Sequence, residues 1–149
     1  MKEYMEKFFG WKTVMQKPRL LDVPALMERG EYRDVVFFRD PDLGIRKFSN
    51  VPYVIGTLAD KGNGYEWGYG GTGPTDFAAN ILMHFADHDE AVARAFHIEF
   101  RNRFLVNMAK AGGRIPKEDI FSFLETMKTA QPDLLEQVRA DMFAALRSR

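Results

Sequence analysis

The sequence predicts an α+β domain in which a small antiparallel sheet of about three strands is covered by helices, with helical additions at both ends. Three observations carry this. Short runs rich in β-branched and aromatic residues lie between positions 35 and 58, separated by turn residues. Apolar residues recur at three- and four-residue spacing from position 75 onward. A single glycine-rich turn joins the two halves. The chain reads as one domain over 1–149, made of an N-terminal helical addition over 1–33, an α+β core over 34–127 and a C-terminal helix over 132–149.

Taken in order, Met1, Tyr4, Met5 and Phe8 repeat at helical spacing until Gly10 interrupts them, which predicts a short first helix. Prolines at 18 and 24 forbid a long helix next, while Val23–Gly30 fits a short one with Pro24 near its start and Gly30 as its cap. Val35–Phe38 is a strand by composition. Asp40-Pro-Asp-Leu-Gly44 is turn chemistry, so a hairpin is expected, with the return strand over Ile45–Phe48. Pro52 marks the start of a third strand over Tyr53–Leu58, and Gly62-Asn-Gly64 makes a further turn.

A helix is predicted from Thr75 to about Phe85. Pro74 takes its first position, and Phe77, Ala78, Ile81, Leu82 and Phe85 form one stripe to lie on the sheet. The next helix, Asp89 to Ala111, is apolar over a broad arc (Val92, Phe96, Phe100, Phe104) and is expected to be the central buried one, ended by Gly112-Gly113. Lys117–Met127 follows with Glu118 and Asp119 in a favourable acidic first turn. The final helix, Pro132 to about Leu146, runs from acidic (Asp133, Glu136) to basic (Arg147, Arg149), with a stripe of Leu135, Val138, Met142 and Leu146 that either packs home or meets a second copy.

Composition narrows the functional classes. At 149 residues, with 46% apolar residues and 13 Phe, the chain supplies a core without cross-links. Having no Cys, it excludes thiol catalysis, disulfides and Cys-ligated zinc, and it suits a reducing compartment. The segment Met1–Phe9 has mixed charges and no long apolar run, so it is read as neither a signal peptide nor a membrane span, and a cytoplasmic location is expected. Lys+Arg and Asp+Glu balance at 21 each, which gives no general attraction to nucleic acid or anionic lipid.

The stretch Trp67-Gly-Tyr-Gly-Gly-Thr-Gly-Pro-Thr-Asp-Phe-Ala-Ala-Asn-Ile-Leu82 resembles the signature of a small prokaryotic family of unknown function, in which a W-G-Y-G-G-[S/T]-G-P turn opens an apolar helix. The similarity extends over roughly residues 34 to 125. It implies a fold and a setting among bacteria, phages and mobile elements, and it transfers no catalytic residue.

Each candidate site also has a plain structural reading. Gly68-x-Gly70-x-x-Gly73 matches a dinucleotide-binding pattern before a helix start, but a helix follows where that fold needs a strand, and no Gly-Lys-Ser/Thr closes a phosphate loop. Asp76, in the expected first turn, would occupy the free N–H groups and repel a phosphate. The favoured reading is a structural hinge whose glycines let the backbone pass beneath Trp67 and Tyr69. His84 and His88 stand four apart, with Asp87, Asp89, His97 and Glu99 near, yet Phe85 replaces the Glu of a zinc-protease motif, so no metal site is expected. Arg94, Arg101, Arg103, Lys110, Arg114 and Lys117 cluster around the second helix and read as a solvated face diluted by Glu99, Glu118 and Asp119. Ser occurs only at 49, 122 and 148, and Glu66, Asp76 and Asp87 are polar neighbours of the turn without a catalytic spacing.

The sequence thus leads to a non-enzymatic protein-interaction domain, a phage- or mobile-element-borne modulator of a host or defence protein, with exposed Trp11, Tyr65, Trp67 and Tyr69 as anchors. The alternative is a small nucleotide- or anion-binding protein whose ligand meets Trp67, Tyr69, Gly70, Gly71, Thr72 and Gly73. No cofactor, catalytic residue, membrane contact or nucleic-acid partner is expected.

Overall fold

The computed structural model describes residues 24–40, 46–56 and 65–148. The expected first helix, Trp11, and the turns at 41–44 and 62–64 lie outside these residues.

The fold is α+β. Strands β1 (Val35–Arg39), β2 (Lys47–Ser49) and β3 (Gly112–Ile115) form one antiparallel sheet in the order β2-β1-β3. Four helices follow the chain order α1 (Thr72–Phe85), α2 (Glu90–Phe100), α3 (Lys117–Ala130) and α4 (Pro132–Arg147). A π-helical turn at Arg101–Leu105 extends α2, closed by Val106 N–H donating to the Arg101 carbonyl. Among the described residues, no helix is long and apolar enough to cross a membrane.

The third strand is not the expected one. Residues 53–56 form no strand, because buried Asn80 of α1 takes their backbone groups. Its Oδ1 accepts from the N–H groups of Val54 (2.5 Å) and Ile55 (3.0 Å), and its Nδ2 donates to the Ile55 carbonyl (2.8 Å). The sheet is completed by the glycines read as a helix stop. Gly112 has φ +128°, and a Cβ there would run into the Phe37 carbonyl, so only glycine lets β3 approach β1 this closely. The predicted 89–111 helix therefore ends early, at the π turn.

The predicted helix at Val23–Gly30 is also absent over its described part. Met27 N–H donates to the Asn50 carbonyl and Arg33 Nη2 to the Ala25 carbonyl, which holds this segment open against the sheet. Asn50 ends β2 with its side chain. Its Oδ1 accepts from Val36 N–H, and its Nδ2 donates to the Asp34 carbonyl. Asp34 in turn caps α3 by accepting from Lys117 N–H at 2.9 Å.

Buried position passes from the second helix to the first. Every residue of α1 from Gly73 to Phe85 is buried, including Asp76, Asn80 and His84, so α1 is the core helix instead of an amphipathic cover. Around it, Phe37, Trp67, Val92, Phe96 and Phe100 are fully enclosed. The turn from α1 to α2 is tight, with Asp87 (φ 53°) and His88 (φ 63°) both left-handed and the Tyr32 hydroxyl donating to Asp87. In contrast, α4 contains no buried residue. It leans on α2 and is tied by the bidentate contact of Arg139 with Asp89 (2.8 and 3.2 Å).

Candidate functional site

The glycine turn has two faces with different roles. On the inner face, Trp67 is 0% exposed, its Nε1 donates to the Lys110 carbonyl at 3.0 Å, and its ring meets Phe37 edge-on at 4.8 Å. It is a core residue, which corrects its assignment as an exposed anchor. Tyr65 likewise stacks on Phe77 at 4.4 Å and donates to the Pro52 carbonyl; burial first, then Tyr53 and Asp76, raises its pKa. Gly73 is required by packing, since a Cβ there would lie 2.5 Å from Glu66 Cβ. Glu66 itself bonds Arg39 (2.6 Å), Lys47 (3.3 Å) and Trp67 N–H (3.2 Å). Burial pushes its carboxyl up, but these partners outweigh burial and hold it below the usual range.

The outer face is open. Tyr69 is 43% exposed, with Lys110 Nζ 5.1 Å from its ring centre. A Cβ at Gly70 would find only ordinary contacts at 3.9–4.0 Å with Arg101 and Val106. Helix α1 starts at Thr72, so Pro74 takes the third position, where a backbone N–H is still not needed. Asp76 falls beyond the first turn, which holds no acidic residue, and Gly71 offers no side-chain cap. The carboxylate expected to occupy this helix start is thus displaced from it.

Arg101 approaches that start from the π turn. Its Nη1 donates to Thr75 Oγ1 at 3.0 Å, while its Nε and Nη2 donate to Asn102 Oδ1. Both acceptor atoms are neutral, and among the described residues no carboxylate pairs with it. Beside it opens a groove of about 850 Å³ between the start of α1, α2 and the C-terminal half of α4. Gly71, Thr72 and Thr75 line one side, Arg94, His97, Ile98 and Arg101 the second, and Val138, Met142 and Leu146 the third. Arg94 is paired with Glu90 at 3.3 Å. His97 Nδ1 lies 3.0 Å from the Arg94 carbonyl oxygen, and burial lowers the pKa of the ring, which keeps it neutral near pH 7.

Of the sequence candidates, the structure brings Gly71 and Thr72 to this groove, leaves Tyr69 and Gly70 at the surface beside it, and places Trp67 and Gly73 in the packed interior. Sequence reasoning missed Arg101 as their partner, because no spacing signals a contact made across 26 positions. His84 is buried with Nε2 2.6 Å from the Glu31 carbonyl, His88 sits in the left-handed turn, and no group of three metal-ligating side chains assembles among the described residues.

No curated protein and no solved structure matches the chain. The sequence model of a family of unknown function, DUF6166, matches residues 49–126, which carry the glycine turn, α1, α2, Arg101 and β3. Because that match covers more than half of the chain, the protein belongs to this family.

Proposed function

We propose that this protein binds a small anion in the groove where α1 begins. The observation that carries the reading is the Arg101 guanidinium, free of any carboxylate partner among the described residues and hydrogen-bonded to Thr75 in the first turn of an uncapped helix. The first N–H groups of a helix lack intrahelical acceptors and carry partial positive charge, so guanidinium and helix start favour the same ligand charge. The groove has the size of a small-ligand site and mixes an apolar wall with a few converging polar groups. The chemistry supported is recognition and not turnover, in a cytoplasmic setting.

The test is thermal unfolding of the full chain against phosphate, sulfate, simple carboxylates and nucleotides. A ligand at one hundred times its dissociation constant contributes about 2.7 kcal/mol of stabilisation. The expected result is a rise in Tm with an anion that Arg101→Met removes. A flat panel, or a rise that survives this substitution, overturns the reading.

A protein partner is the second reading, favoured by the exposure of Phe143 (61%) and Leu146 (62%) on a helix with no buried residue. In it the chain acts as a phage- or mobile-element-borne modulator of a host protein, with α4 replacing the anchors that Trp67 and Tyr65 no longer supply. Phe143→Ser would then weaken capture of that partner without altering anion binding.

A further inference from the structure

We infer that the groove takes an amphipathic monoanion with an aliphatic body, by chemical class a medium-chain carboxylate. This rests on the anion-binding reading and names its ligand.

Charge limits the head group. Of the two arginines in the groove wall, Arg94 is already engaged by Glu90, which leaves Arg101 as the cation without a carboxylate partner among the described residues. Asp141, also in the wall, accepts from Gln137 at 2.8 Å. A guanidinium with no carboxylate bonded to it matches one negative charge, and its planar fork suits a carboxylate. A di- or triphosphate would bring further charges to a wall that also holds Glu90 and Asp141, with no further cation among the described residues of the wall to meet them.

The wall limits the body. Ile55, Ile98, Val138, Met142 and Leu146 supply aliphatic surface, and among the described residues no Phe, Tyr or Trp lines the groove, although the chain contains 13 Phe, 5 Tyr and 2 Trp. Recognition of a nucleobase uses stacking on an aromatic side chain, and this wall offers none of those three rings. Aliphatic chains need only apolar area, and flexible Met142 adapts to them. A volume of about 850 Å³ accommodates a body of that kind together with its head group.

The experiment is calorimetric titration of the full chain with butanoate, hexanoate, octanoate and decanoate below their micelle-forming concentrations. The neutral octanol, inorganic phosphate and adenosine monophosphate are titrated beside them. Affinity is expected to rise up to about fourfold for each buried CH₂ group and to level off once the groove is filled. Octanol and the Arg101→Met variant with octanoate are each expected to bind about tenfold more weakly or worse. Leu146→Ser, at an exposed position where the fold is not at stake, is expected to weaken the longer acids and leave phosphate unaffected. If phosphate or adenosine monophosphate binds through Arg101 while the carboxylates show no dependence on length, the aliphatic body is wrong and anion binding stands. If no anion binds, both fall.

Discussion

Helices α1 and α4 are of similar length, and both show apolar residues at helical spacing, yet from Gly73 onward every residue of α1 is buried and none of α4 is. Periodicity alone does not separate them. The difference comes from what each helix meets. Asn80 satisfies the backbone of residues 54–55, His84 reaches the Glu31 carbonyl, and Phe77 packs on Phe37 and Trp67, so the polar positions of α1 are as well partnered as its apolar ones. Helix α4 packs mainly on α2 and α3 among the described residues, and the space along its C-terminal half is the groove. The specified part of the molecule holds the fold together, and the loosely packed part leaves room for a ligand.

The sharpest way to break this contrast is at the sheet junction. Gly112→Val places a branched side chain at φ +128° against the Phe37 carbonyl, and the expected cost exceeds about 4 kcal/mol, enough to abolish cooperative unfolding in a denaturant titration. Trp67→Ala removes a fully buried indole and leaves the Lys110 carbonyl without its donor, for about 3–5 kcal/mol. A loss below about 1 kcal/mol for either substitution would mean that the core is not built around these contacts.

Within the glycine turn the same contrast sharpens to two residues. Gly73→Ala pushes Glu66 away from Arg39 and Lys47 and is expected to cost about 1–3 kcal/mol. Gly71→Ala meets only the exposed ring of Tyr69, at φ −147°, a backbone angle open to any residue, and is expected to cost less than about 1 kcal/mol. Equal losses in chemical denaturation would erase the distinction between an inner and an outer face.

Acid reaches both regions in turn. Burial lowers the folded pKa of His97 and His88 below 6.5, so the unfolded chain takes up these protons first and stability declines as pH falls below that value. Glu66 and Asp89 are raised by burial but held low overall by their hydrogen-bonded partners. Their contribution is present above the ordinary values of 4.5 and 3.8 and is lost as pH falls through the lower folded ones. Thermal scans from neutral to acid pH are expected to show a shallow decline followed by a steeper one, and a flat profile would remove these groups from the account.

Local signals carried much of this fold. The strand at 35–39, α3 and α4 with its proline start follow from turn chemistry, helix-end charge and spacing, all of which act within a few residues. What was misread depends on distant partners. Asn80 converts the 53–56 segment from strand to coil across about 25 positions, and Gly112-Gly113 form a strand because Phe37 lies beneath them. The glycine turn was legible as a feature before a helix. Its division into a packed inner face and an open outer one was not, because Arg101, Glu66 and Trp67 acquire their roles only through tertiary contact.

The smallest expected effect tests the surface of α4 itself. Arg139 and Asp89 are 50% and 33% exposed, so their ion pair is screened by solvent, and Arg139→Ala is expected to cost no more than about 1 kcal/mol of global stability. The pair nevertheless ties α4 to the first residues of α2, and Asp89 also accepts from Ala91 N–H as the α2 cap. Loss of Arg139 should therefore speed amide exchange in α4 while leaving α1 protected at the level of global unfolding. Equal acceleration in both helices would show that α4 opens only when the core does, and the groove would then be as firmly specified as the sheet junction.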